Sequence, residues 1–95
     1  MTEMQITMIR PAEDVGSVLT GRSIAAALRE RVEIAARQGD SVVVDFAGVE
    51  AVSPSFADEL FAKLPAELAA RVQFENVGED LEALRRFVVS GRPPR

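Results

Sequence analysis

Six side chains have the types and spacing to carry chemistry: Arg22, Asp45, Ser53, Ser55, Asp58 and Glu59. Ser55 as a nucleophile would need a base within hydrogen-bond reach. The chain contains no histidine and no cysteine. Its one lysine, Lys63, follows Ser55 by eight residues, about 12 Å along a helix, too far to serve. No Gly-x-Ser-x-Gly elbow surrounds the serine. Asp58 and Glu59 are candidates for a divalent cation, but adjacent helical residues diverge by about 100° and would need help from a third group such as Asp45. The six glycines are isolated, so no phosphate-cradling glycine loop is present. These absences lead to the expectation of a non-enzymatic chain without cofactor or metal.

Two elements must position these residues. Val42-Val43-Val44 is an unbroken β-branched run, which predicts a strand covered on both faces. Asp45 falls at its end, where open α/β sheets place functional groups; the plainer role is a loop carboxylate holding backbone N–H groups ahead of Gly48. Pro54 suits the first position of a helix, with Ser53 behind it as cap. The alternative is Ser55 as cap, with Asp58 completing a capping box. Phe56, Leu60 and Leu64, flanked by Ala57 and Phe61, give that helix a broad apolar stripe. Ser55 then stands near free backbone N–H groups and the positive end of the helix dipole, a place to put or read a phosphate.

The rest of the chain supplies partners for this unit. Residues 4–9 alternate as a first strand near a sheet edge, ended by Pro11, and residues 11–16 have loop chemistry. Ser17-Val18-Leu19 is a short second strand. A helix follows to about Gln38, capped by Thr20 or Ser23 and stopped by Gly39, with Ile24, Leu28, Val32 and Ala35 on its apolar face. Pro65 interrupts the central helix, and residues 66–70 add a turn. Residues 71–75 alternate as a strand. Asn76 and Glu79 have capping-box spacing before a last helix bearing Leu81, Leu84, Phe87 and Val88. Residues 91–95 read as a tail. The alternation of strands and helices predicts an α/β sandwich with at least one parallel pair.

Composition narrows the function. Ninety-five residues with 47% hydrophobic and 27% charged residues suit one small globular domain over 1–95. A net charge of −4, with no tyrosine or tryptophan for base stacking, argues against nucleic-acid binding. No stretch approaches the length of a membrane span, and the N-terminus lacks a signal-peptide pattern, so a cytoplasmic location is expected.

The stretch from Val42 to Leu64 resembles the STAS-domain segment that holds the regulatory serine of anti-sigma-factor antagonists. It is closer still to a bacterial STAS-like family with the pattern DF-x-G-V-x-x-[VI]-S-x-S-F-A-D-E-L. Here that pattern is met by Asp45, Phe46, Gly48, Val49, Val52, Ser53, Ser55, Phe56, Ala57, Asp58, Glu59 and Leu60. Gly21-Arg22 upstream fits the same layout, and the resemblance covers roughly residues 17–90. It implies a small STAS-like sandwich of about four mixed strands with three or four helices. It also implies a regulatory protein-binding role beside a GHKL-type ATPase or anti-sigma factor. Antagonists read Asp-Ser-Ser-Gly at the switch, so Ser55 matches the phosphorylated serine, while Ser53, Pro54 and Phe56 replace the other three residues. The binding face this suggests comprises Ser53, Ser55, Asp58 and Glu59, with Arg22 beside it.

Two other readings stand beside this one. The first is a small phospho-acceptor or hydrolase-type enzyme centred on Asp45 and Ser55. Response-regulator receivers, which such an Asp45 would resemble, need an acidic pair after the first strand and a lysine after the last. Glu13-Asp14 offers the pair, but no lysine occurs near residues 74–78. The second is a structural oligomerisation domain that pairs through an edge strand. A catalytic site would bring Asp45 and Ser55 into one pocket; a binding face would leave the helix start open.

Overall fold

The computed structural model describes residues 5–90. The expected strand residue Met4 and the tail 91–95 lie outside the described residues. Three strands, β1 (Ile6–Ile9), β3 (Ser41–Asp45) and β5 (Val72–Glu75), form a parallel sheet in the order β1-β3-β5. A two-stranded parallel ladder joins β2 (Val18–Leu19) to β4 (Ala51–Val52). The helices are α1 (Pro11–Asp14), α2 (Arg22–Arg37), α3 (Pro54–Ala57), α4 (Ala66–Ala69) and α5 (Glu79–Ser90). From α3 the chain runs on in π-helical register over Asp58–Ala62. This is the small α/β fold expected, although every described strand pair is parallel where mixed strands were expected.

The sheet order rises in one direction. Two crossovers of the same hand then lay their helices on the same face. Ile9, Val42, Val44 and Val72 point to that face and join Ala25, Leu28 and Val32 of α2, Phe56 and Ala57 of α3, and Leu60 and Phe61 in one core. Val43 is buried but lies outside this core. Its register partner Met8 and the next-but-one residue Ile6 are exposed. Both faces of the central strand are nevertheless buried, as expected, with Val43 apart from the main core. Alternation in β1 does not mark its core side, because Ile6 and Met8 face out while Ile9 faces in.

Local chemistry explains the other departures. Residues 11–14 are a helical turn rather than a loop, because Pro11 has the fixed φ of a first helical position. Its carbonyl accepts from the Val15 N–H at 2.8 Å. Neither Thr20 nor Ser23 caps α2; Gly21 holds the cap position at φ 92°, a conformation open to glycine. The buried face of α2 is Ala25, Leu28, Val32, Ala35 and Ala36, and Ile24 is exposed. Leu28, Val32 and Ala35 are thus buried as predicted, and only Ile24 falls off the face, with Ala25 and Ala36 buried instead. The Asn76–Glu79 capping box does not form. Asn76 adopts a left-handed φ of 55° and gives its amide to Asp45, while α5 begins only at Glu79.

Candidate functional site

The ladder of β2 with β4 sets the site. Both strands run the same way and each leads at once into a helix, so the starts of α2 and α3 come side by side. The Ser53 N–H donates to the Leu19 carbonyl at 2.9 Å, fixing where α3 begins. Ser53 is the cap: its Oγ accepts from the Phe56 N–H at 3.1 Å, and Pro54 follows at the first helical position. The alternative, Ser55 as cap in a box with Asp58, is not what forms.

Ser55 is half-buried, and among the described residues its hydroxyl is paired with Ser53 Oγ at 3.2 Å. It lines an open depression of about 490 Å³ with Arg22, Pro54, Asp58, Phe87 and Val88. Arg22 Nη1 donates to Asp58 Oδ2 at 2.8 Å across the two helix starts. That bond raises the Arg22 pKa above its ordinary value. Arg22, Ser55 and Asp58 thus share one surface.

Glu59, the next residue, turns inward and is only 7% exposed. It accepts from Arg29 Nη1 and from Lys63 Nζ, the latter at 2.9 Å, and Arg22 approaches at 3.5 Å. The Arg29 bond first, then the Lys63 bond, brings its carboxyl down to a pKa of about 2. Arg29 Nη1 also donates to the Glu59 main-chain carbonyl at 2.8 Å. The π-helical turn shifts its carbonyls out of the ordinary i→i+4 ladder, and Arg29 occupies the one at Glu59. Glu59 is a tie between α2 and the central helix more than a surface group.

Arg29 was not singled out from sequence. The signal was there: Arg22 and Arg29 are seven residues apart, two helical turns on one face. The i,i+4 spacing of Glu59 and Lys63 supplies the acidic counterpart.

Asp45 sits apart from this group. Its Oδ1 accepts from the Ala47 N–H at 3.0 Å and from Asn76 Nδ2 at 2.7 Å, and Arg10 lies 3.7 Å from Oδ2. These bonds, the Asn76 one foremost, hold its pKa below the usual carboxylate range. Arg10, Asp45 and Asn76 follow or end three parallel strands, so the carboxylate fastens three loop starts together. The depression that Ser55 lines does not include Asp45.

Among the described residues no cluster of three or more acidic side chains is placed to hold a metal ion. No helix among them is long and apolar enough to cross a membrane.

The site thus sits where a serine-bearing helix start meets a small parallel α/β sheet. The family model for the STAS-like domain of unknown function (DUF4325) matches residues 25–82, more than half of the chain, and the chain belongs to that family. The matched stretch holds Asp45, Ser53, Ser55, Asp58 and Glu59 and begins after Arg22. No curated protein and no solved structure matches the chain.

Proposed function

We propose that this domain is a non-enzymatic regulatory module that binds another protein through the adjoining starts of α2 and α3. Ser55 is the residue at which a phosphate would switch that binding. The observation that carries this reading is the placement of Ser55. It lies in an open depression beside Arg22 and Asp58, with Ser53 as its hydroxyl's partner. The separation of Asp45 from that depression weighs against an enzyme built on the two. Kinship with STAS-type antagonists makes a GHKL-type ATPase or anti-sigma factor the partner to try first.

A phosphoserine carries about −1.5 to −2 charges and three acceptor oxygens. At position 55 it would compete with Asp58 for Arg22, a pair in which Arg22 is largely exposed and its exchange cheap. The fold would tolerate the change, while a partner seated on the neutral surface would meet a new charge and a rearranged guanidinium. The test is a pull-down from the native host, followed by calorimetric titration of the captured protein. Ser55→Ala should bind as wild type, and Ser55→Asp should bind at least about tenfold more weakly, or 1.4 kcal/mol. Equal binding by the acidic variant removes the switch. Turnover of an ester or phosphate substrate that is lost on Ser55→Ala or Asp45→Asn removes the non-enzymatic reading.

A further inference from the structure

A second depression, of about 700 Å³, opens between the β3–β4 connection and the first two turns of α5. It shares no lining residue with the Ser55 depression. Val49, Leu81 and Leu84 line it, each partly buried against the core. Glu50, Glu79 and Asp80 also line it and are exposed. No lysine or arginine is among its lining residues.

Some carboxylates elsewhere are answered by arginines. Asp14 is answered by Arg31, Asp58 by Arg22, Glu33 by Arg29 and Arg37, and Glu82 by Arg85 and Arg86. Glu50, Glu79 and Asp80 have no side-chain partner among the described residues, as is also true of Glu13, Glu30, Glu67 and Glu75, but these three gather at one apolar groove. Two of them, in the first turn of α5, also complement its dipole. Glu50 comes from a different segment and has no such role, yet it reaches the same groove.

We propose that this groove docks a basic peptide segment of a partner protein. One aliphatic side chain seats against Val49, Leu81 and Leu84, and flanking arginine or lysine side chains meet the three carboxylates. Apolar contact supplies the anchor, while the unanswered charge selects a cationic segment and speeds its arrival. An acidic or uncharged apolar segment would find no complement on this rim. The inference stands on its own residues and does not depend on Ser55.

The test is a titration of the 15N-labelled chain, followed by NMR, with a blocked eight-residue peptide of alternating arginine and leucine. Amide shifts should concentrate in residues 49–52 and 78–84. Replacing the peptide's leucines with serine, or its arginines with glutamate, should each weaken binding at least about tenfold. The triple variant Glu50→Gln, Glu79→Gln, Asp80→Asn should lose about tenfold in affinity. Its own spectrum reports whether it is folded. The triple Glu13→Gln, Glu30→Gln, Glu67→Gln removes the same charge elsewhere and should stay within about twofold. Equal losses in the two triples, undiminished binding of the arginine–serine peptide, or shifts centred outside the groove would overturn the proposal. The peptide arms use the unaltered chain, so they decide the matter even if the groove triple unfolds.

Discussion

Ser55 and Glu59 lie four residues apart on one helical run and have opposite commitments. Glu59 is buried and ties that run to α2 through Arg29, with Lys63 and Arg22 beside it. Ser55 is half-buried, bonded to its neighbour Ser53, and borders open space. The sequence places polar groups at both positions; what separates them is the element each one faces. Where α2 presents arginines, the polar group becomes part of the scaffold. Where the adjoining starts of α2 and α3 border a depression, it stays half-buried at the rim. Ser53 and Ser55 repeat the contrast over two residues, since Ser53 gives its oxygen to the Phe56 N–H.

The contrast can be broken from below. Phe56 is fully buried under both positions. Phe56→Ala should cost about 3–5 kcal/mol, read from denaturant melts, and loosen Ser55 and Glu59 together. Unchanged stability would mean that the helix is not anchored through its aromatic stripe.

Glu59→Gln sharpens the contrast through pH. A carboxyl at about 2 in the fold against 4.5 when free contributes stability in its charged form. That contribution is complete above about pH 4.5 and is lost as pH falls through about 2. The variant should therefore melt below wild type at neutral pH, and the gap should close across that acid window. A gap that is constant with pH would show that the Glu59 charge is not what ties the two helices.

Two smaller effects separate the serines. Ser53→Ala removes the cap and should cost about 1 kcal/mol. Ser55→Ala should stay within about 0.5 kcal/mol, and Ser55→Asp within about 1 kcal/mol. Thermal melts of the three variants suffice. A larger loss from Ser55→Ala than from Ser53→Ala would reverse their assigned parts.

Much of this arrangement was legible because it depends on local rules. Ser53-Pro54 announces a helix start, and Phe56, Leu60 and Phe61 announce its buried stripe, all of which the structure contains. Asp45 as a holder of loop N–H groups follows from its place between a strand and Gly48, and the Ala47 N–H is indeed one of its donors. What stayed hidden depends on distant partners. Ile24 is exposed and Ala25 buried, which depends on how α2 is rotated against its distant partners and not on local hydropathy. Asn76 left its cap position because Asp45, 31 residues earlier, offered a charged acceptor. The inward turn of Glu59 needed Arg29, 30 residues away, to be worthwhile. The π-helical turn has no composition of its own; it ends just ahead of Pro65, whose missing N–H already weakens the α-helical ladder there.

The register of the strands bears on how this chain reaches its native state. Ile6 pairs with Ser41, Val42 with Val72, and Val18 with Ala51, so every ladder joins residues 30 or more positions apart. No hairpin exists among them to form early and cheaply. Each ladder must await closure of a long loop, and that entropy is spent before the contact returns anything. Folding should accordingly be slow beside that of a helical bundle of equal size. The helices that bridge the strands must condense first or with them. During that interval Val42-Val43-Val44 is an unpaired β-branched strand, and the neighbouring Ser41 and Asp45 are the nearest polar residues restraining its association with other chains.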